Sequence, residues 1–431
     1  MPSVRALAAL VAWACVYGST IAFAQDAPAR RPVAAGTLTL SEALRRAVAT
    51  NPRLTAGERD IAIAGGRRLQ AGAIPNPELS FELDNAFGSG LYRGLSAAET
   101  TLQLSQLFEL GGKREARVAA GTAEVENARW QRLALRLEIA SETATAFLTV
   151  LNGQRRIHIY DAQIRALERI LPQLQRRIEV GASSPTEIAR AQIAADLVRA
   201  ERERARTAVA VARRELAAAM GMDTPEFGEL VGDLVRTGNP PPFTAILRSL
   251  ERNPQLVRFT AQRAQRDAEL LSARLKPIPD LRLSAGWRHY RETGDNAVRV
   301  GVSMALPVWD QNLGAITEAR EARAKTEAEY AAARAALILT VGKAYETLIG
   351  ALRELEPLRG SAIPNVRRAV EGIESGYAQG RFTLLEILDI QNTATQTAIR
   401  EQDALMSFHV SVATIEALTG VPLGLTLART K

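Results

Sequence analysis

The sequence predicts a mainly α protein with some β, built from one large unit written twice. Three observations carry that prediction: a duplication spanning most of the chain, a switch from helical to alternating periodicity in two places, and two very long breaker-poor stretches. The chain has 431 residues, 47% of them apolar, which is ample for folding. The alternating stretches are "AIPNPELSFELDNAFGSG" from Ala73 and "LKPIPDLRLSAGW" from Leu275. Setting Pro75 and Pro77 on Pro277 and Pro279 gives an offset of 202, which also carries Asn51-Pro52 onto Asn253-Pro254. Further on the offset falls to 199, placing "GASSPTE" at Gly181 over "GRFTLLE" at Gly380. A period that long is one large duplicated unit rather than a solenoid repeat.

Each copy opens with an amphipathic helix, "LSEALRRAVAT" and "FTAILRSLER", in which Leu44 and Val48 match Ile246 and Leu250. A strand pair follows. In the first copy Leu79, Phe81 and Leu83 alternate with Ser80, Glu82 and Asp84, and Leu102 and Leu104 with Thr101, Gln103 and Ser105. The second copy repeats this with Leu281 to Trp287 and Val298 to Val302. The predicted strands cover about 78–86, 99–108, 280–290 and 297–306. From about Lys113 to Val180 and Gly314 to Gly376 the chain reads as helix, with Pro172, Pro357 and Pro364 the exceptions. Some sixty helical residues make a rod of about 90 to 100 Å, too long for a globular core. Ser184 and Thr383 open the returning helices, and Ser-x-x-Glu and Thr-x-x-Glu, ending at Glu187 and Glu386, are capping boxes. Each copy therefore ends as a long antiparallel hairpin with its tip at Gly181 or Gly380.

The boundaries that follow are a signal peptide over 1–24, a linker over 25–36, repeat 1 over 37–232, repeat 2 over 233–422 and a tail over 423–431. Arg5, the apolar run Leu7 to Val16 and Ala22-Phe23-Ala24 read as a cleaved secretory signal, the alternative being an N-terminal anchor. The single cysteine, Cys15, falls inside that signal, which leaves the mature chain without disulfides or thiolate chemistry. The most apolar later run, Ala335 to Leu352, is interrupted by Lys343 and Glu346, so no transmembrane helix is expected. The net charge of +7 comes from arginines dispersed among glutamates around helices, which points away from nucleic acid.

Strands of this length suit a tilted crossing of a bilayer, apolar set to lipid and polar set to a lumen; hairpins covering a soluble core are the alternative. Four strands cannot close a barrel, and an edge exposed to lipid is not tolerated, so the membrane reading demands several chains around one barrel. His158, His289 and His409 have no carboxylate or histidine at ligand spacing, and no phosphate loop or nucleophile elbow is present. The expectation is no enzyme, no cofactor and no metal site.

With these features in place the chain resembles the outer membrane factors of the TolC type, from "LTLSEAL" at Leu38 to "EALTG" ending at Gly420. "PNPEL" at Pro75 and "LSQLFELGGKR" at Leu104 are most similar to the subfamily that serves heavy-metal efflux pumps of the cobalt-zinc-cadmium and copper type. The resemblance implies a homotrimer in the outer membrane of a Gram-negative bacterium, with a shared 12-stranded β-barrel set in outer membrane lipid and continued by a 12-helix α-barrel in the periplasm. It also implies two partners, a periplasmic adaptor (membrane fusion protein) and an inner-membrane RND transporter. Drug efflux or type I protein secretion is the alternative cargo, and a soluble periplasmic coiled-coil adaptor or scaffold the alternative class. Glu386 and Asp389, at i, i+3 on one helical face, fall where family members line the periplasmic constriction; otherwise they are a cap residue and a solvated acid. The first copy has Glu187 and Arg190 at the matching places. The tips Gly181, Ser184, Gly380 and Thr383 resemble the family's adaptor-docking points, and are ordinary helix-helix turns in any case.

Overall fold

The computed structural model describes residues 36–423. The expected signal peptide, the linker up to residue 35 and the tail from residue 424 lie outside the described residues. Two short helices, α1 (Leu40–Thr50) and α2 (Pro52–Ala71), are separated by Asn51, whose side chain caps α2 through the Arg53 N–H while Pro52 starts the helix. Strands β1 (Glu78–Asp84) and β2 (Glu99–Phe108) lead into the hairpin α3 (Lys113–Glu179) and α4 (Pro185–Ala219). The second half follows the same order: α5 (Phe243–Leu250), α6 (Pro254–Leu275) with an identical Asn253–Pro254 cap, β3 (Leu281–Tyr290) and β4 (Asn296–Met304). Its hairpin is α7 (Leu313–Pro357), a π turn at Leu358–Ala362, α8 (Ile363–Ala378) and α9 (Leu384–Thr419).

The strands form one antiparallel sheet in the order β1-β2-β3-β4. β1 ends at Asp84, two residues short of expectation, because Asn85 turns out of the extended region with φ 53°. β4 ends at Met304, before the run that reaches Pro307, since proline cannot donate to a ladder.

α3 runs for 67 residues, about 100 Å, straight through Pro172. It packs on α4, α2, α6 and α9, so the two halves share a wall. Apolar clusters pin the rods: one around Phe147, Leu148 and Met220, one around Val341, Leu348 and Phe408, a small one of Leu355, Ala404 and Leu405, and one at the tips around Leu174, Tyr377 and Ile387. The extended segment between the repeats is clamped into the first cluster by Phe227, Leu230 and Leu234. By length and composition Leu313–Ala378 does contain a stretch apolar enough to cross a bilayer, contrary to expectation. Val341, Leu348, Ala351 and Leu355 of that stretch are buried against α9 and α5. They pack as one wall of the hairpin bundle, and they are the minority of the apolar window, of which 22% is buried.

Candidate functional site

The sheet has two chemically opposite faces. On one, Leu79, Phe81, Leu83, Leu102, Leu104, Trp287, Val298, Val300 and Val302 are all exposed large apolar side chains, a patch far beyond what a soluble surface carries. Cross-strand register aligns them in rows, Leu102 opposite both Phe81 and Trp287, and Trp287 opposite Val298. The other face carries charge. Arg282 pairs with Glu78 and donates to Ser105 Oγ at 3.2 Å. Arg288 spreads over three strands, to Thr101 Oγ1 at 2.8 Å, Glu99 at 2.8 Å and Asp84 at 3.4 Å. Such a sheet fits lipid on one side and water on the other.

Where the sheet meets the rods, Asp280 of the second repeat accepts from the Lys113 ammonium at 2.7 Å and the Leu110 N–H at 3.1 Å. Gly111 lies between them at φ 73°, and a Cβ there would sit 2.5 Å from Ile278. The Gly-Gly-Lys of "LSQLFELGGKR" is thereby explained as the bend that turns a strand into a rod.

At the far end both tips close with the same Schellman geometry. Ala182 N–H reaches Arg177 O at 2.7 Å and Gly181 N–H reaches Ile178 O at 2.9 Å; in the second copy Arg381 N–H reaches Gly376 O at 2.8 Å and Gly380 N–H reaches Tyr377 O at 2.9 Å. Gly181 and Gly380 have φ of 74° and 76°, with open space where a Cβ would stand. Thr383 and Glu386 form the two-way capping box: Thr383 N–H and hydroxyl donate to the Glu386 carboxylate at 2.7 and 2.8 Å, and Glu386 N–H returns to the hydroxyl at 3.4 Å. The Thr383 N–H, then its hydroxyl, holds the Glu386 carboxyl below its usual range. At Ser184 the expected box is only half made. Its hydroxyl takes the Thr186 N–H at 3.3 Å and pairs with the Thr186 hydroxyl at 2.9 Å. The Thr186 hydroxyl engages the Ser184 hydroxyl, and Glu187, instead of reaching back to the cap, sits half-buried near Tyr377.

Leu384 and Ile387 of α9 are buried, while Glu386 and Asp389 are exposed on the other side of the helix. Two acids of the second tip therefore share a face turned away from the chain's own core, where the first tip presents exposed Arg190. One feature had no clear signal in the sequence. Tyr377 is 1% exposed, and the Arg177 guanidinium lies 4.8 Å over its ring while donating to its carbonyl at 3.1 Å, so the two tips are bolted together. Burial pushes the Tyr377 phenol up. An aromatic three residues before the Gly380 turn, where the first copy has Ile178, is the trace that could have marked it. Among the described residues no cluster of three His, Cys, Asp or Glu could hold a metal ion.

A family profile described as "Outer membrane efflux protein" matches residues 43–222 and 245–421, one stretch per repeat. The chain is 28% identical over 387 residues to the cobalt-zinc-cadmium resistance protein CzcC of Cupriavidus metallidurans, covering 90% of this chain and 91% of that one. It is 27% identical over 285 residues to the nickel and cobalt resistance protein CnrC of the same species, covering 66% and 67%. The crystal structure of CusC, described as forming a transmembrane channel, superposes with a TM-score of 0.74 at 13% identity over 88% of this chain and 91% of that chain. A duplicated hairpin on a two-faced sheet, matched by that profile over most of its length, places the chain in the outer membrane efflux protein family, whose channels reach from the outer membrane of Gram-negative bacteria into the periplasm.

Proposed function

We propose that the chain is the exit duct of a tripartite heavy-metal efflux system, working as a homotrimer. The observation that carries this is the sheet: four strands, apolar and exposed on one face, charged on the other, and unpaired at both edges. Three copies give twelve strands, enough for an open lumen, and remove the edges that lipid forbids. The long rods below the sheet then continue the wall into the periplasm, twelve helices around one tunnel. The tips at Gly181–Ser184 and Gly380–Thr383 are where a periplasmic adaptor docks, joining the duct to an inner-membrane RND transporter. Glu386 and Asp389 of three chains converge as an acidic ring that favours cations by their summed potential. Metal cargo rests on the resistance proteins CzcC and CnrC, similar over 90% and 66% of the chain.

Deleting the gene should make cells sensitive to cobalt, zinc or cadmium salts, with tolerance restored by the wild-type chain in trans. Sensitivity to dyes and antibiotics with unchanged metal tolerance would assign the duct to drug export instead.

A further inference from the structure

On the charged face of the sheet most ionic side chains are paired inside the chain: Glu78 with Arg282, and Asp84 and Glu99 with Arg288. Two are not. Glu82 on β1 and Arg299 on β4 are exposed and, among the described residues, make no ion pair or hydrogen bond. They have opposite sign, they face the same side, and they lie on the two free edges of the sheet. Each edge thus presents the charge that the other lacks.

The register within the chain determines which residues can meet when edges join. A straight row crosses the sheet from Asp84 to Glu99 to Tyr290, and the Tyr290 N–H continues it to Asp295. Keeping the apolar face continuous restricts the joint to steps of two residues, because side chains alternate. Closure with Arg299 opposite Glu82 of the next copy tilts twelve strands by only about 20°. Closure with Arg299 opposite Asp84 returns the Asp84 row level with Gly88 and tilts them by about 35°, where barrels begin. A further step, to about 45°, leaves only Gly301–Met304 facing Phe81–Asp84. Slipping the other way to about 35° leaves only Asn296 and Ala297 facing Glu78 and Leu79. The middle register keeps Arg299–Met304 against Leu79–Asp84, with Val300 opposite Leu83 and Val302 opposite Phe81 on the lipid side.

We infer that Arg299 locks the seam between copies, lying opposite Asp84 and diagonal to Glu82 of the neighbouring copy in the lumen. This rests on the reading that three copies share one barrel. A diagonal neighbour is within reach of an arginine, and Gly301, opposite Glu82, leaves the path clear. The seam pair closes the last unmatched charges of the barrel wall and sets which edge meets which, since two like edges would oppose two acids or two bases.

Cysteine pairs read the register directly, because a disulfide needs Cα atoms about 4.4 to 6.8 Å apart and directly opposed strand residues lie about 4.5 to 5.5 Å apart. Under mild oxidation in outer membranes, D84C/R299C should give covalent dimers and trimers in non-reducing gels, and S80C/R299C should give none. Separately, R299E and E82R should each lower the temperature at which trimers dissociate in detergent, and E82R/R299E should recover part of that loss, Asp84 remaining opposite position 299. The inference is overturned if wild-type trimers form but D84C/R299C does not cross-link, or if the double reversal is no more stable than the weaker single variant. Absence of trimers in the wild type would instead overturn the shared barrel.

Discussion

The two hairpins are copies of one unit, yet their long arms are built differently. In the first, α3 is a single helix from Lys113 to Glu179 that passes through Pro172 without a break. In the second, the equivalent rod is interrupted by a π turn at Leu358–Ala362, between Pro357 and Pro364. Pro364 lacks the N–H that the carbonyl four residues earlier would accept, and a π turn absorbs such a loss by shifting the ladder. Arg359 within the turn donates to Glu401 at 2.7 Å and to Val235 O at 3.0 Å, tying the break to α9 and to the segment between the repeats. The second tip also carries the complete capping box, the two exposed acids and the buried Tyr377. A duplication thus yields one hairpin whose long arm is continuous and one whose long arm is jointed and leads to the charged tip.

The sharpest break of this comparison is at the tips, where the copies are geometrically alike. Gly181→Trp and Gly380→Trp put a bulky side chain on a turn at positive φ, at a cost of about 1–2 kcal/mol per site. Both should abolish metal export, read as loss of metal tolerance, while trimers remain in the membrane. Survival of transport in both variants would remove the tips from the docking surface.

Next comes the bolt between the hairpins. Tyr377→Ala empties a buried site and should cost about 3–5 kcal/mol in thermal unfolding. Ile178→Ala, the matching position in the first copy and only half-buried, should cost about 1–2 kcal/mol. Equal losses would mean that the tips are not joined through the tyrosine.

The acids of the second tip separate a cap from a charge. Glu386→Gln weakens the capping box and should lower the thermal unfolding midpoint slightly. Asp389→Asn should leave stability unchanged and reduce cation selectivity in single-channel recordings, and Asp389→Arg, matching Arg190 of the first copy, should reduce it further. Wild-type selectivity in both Asp389 variants would place that face of α9 outside the lumen.

The smallest effect concerns the segment between repeats, held at one end by Arg213 on the Phe227 and Gly228 carbonyls and at the other by His409 on Leu234 O at 2.9 Å. Burial lowers the His409 pKa, partly offset by the Leu234 carbonyl and Asp233, with Arg359 adding to the lowering. A base depressed in the folded state contributes its stability above its ordinary value of about 6.5 and loses it as pH falls below that. Hydrogen exchange corrected for intrinsic rate should therefore accelerate around Leu234 at pH 5 but not around Phe227, where the clamp is an arginine. His409→Asn should remove the pH dependence.

Much of this was legible in the sequence because it is local or periodic. The two-residue alternation located all four strands, and the offset of 202 shared by Asn51-Pro52 with Asn253-Pro254 and by Pro75 with Pro277 exposed the repeat. What stayed hidden depends on contacts across hundreds of residues: Arg288 reaching Asp84, Asp280 reaching Lys113, Arg177 under Tyr377. The half-made box at Ser184 is a local failure of another kind, where the Ser184 hydroxyl is taken up by the N–H and hydroxyl of Thr186 and not by the Glu187 N–H. Pro172 and Pro364 look alike in sequence, and only the packing around each decides that one rod runs on while the other shifts its ladder.

The central claim is that this sheet is one third of a barrel. Outer membranes from cells making the full chain, extracted in mild detergent and weighed by light scattering or native mass spectrometry, give the direct measurement. The expected result is a particle of three chains released only by detergent; a single chain recovered from the soluble periplasmic fraction would contradict the shared barrel.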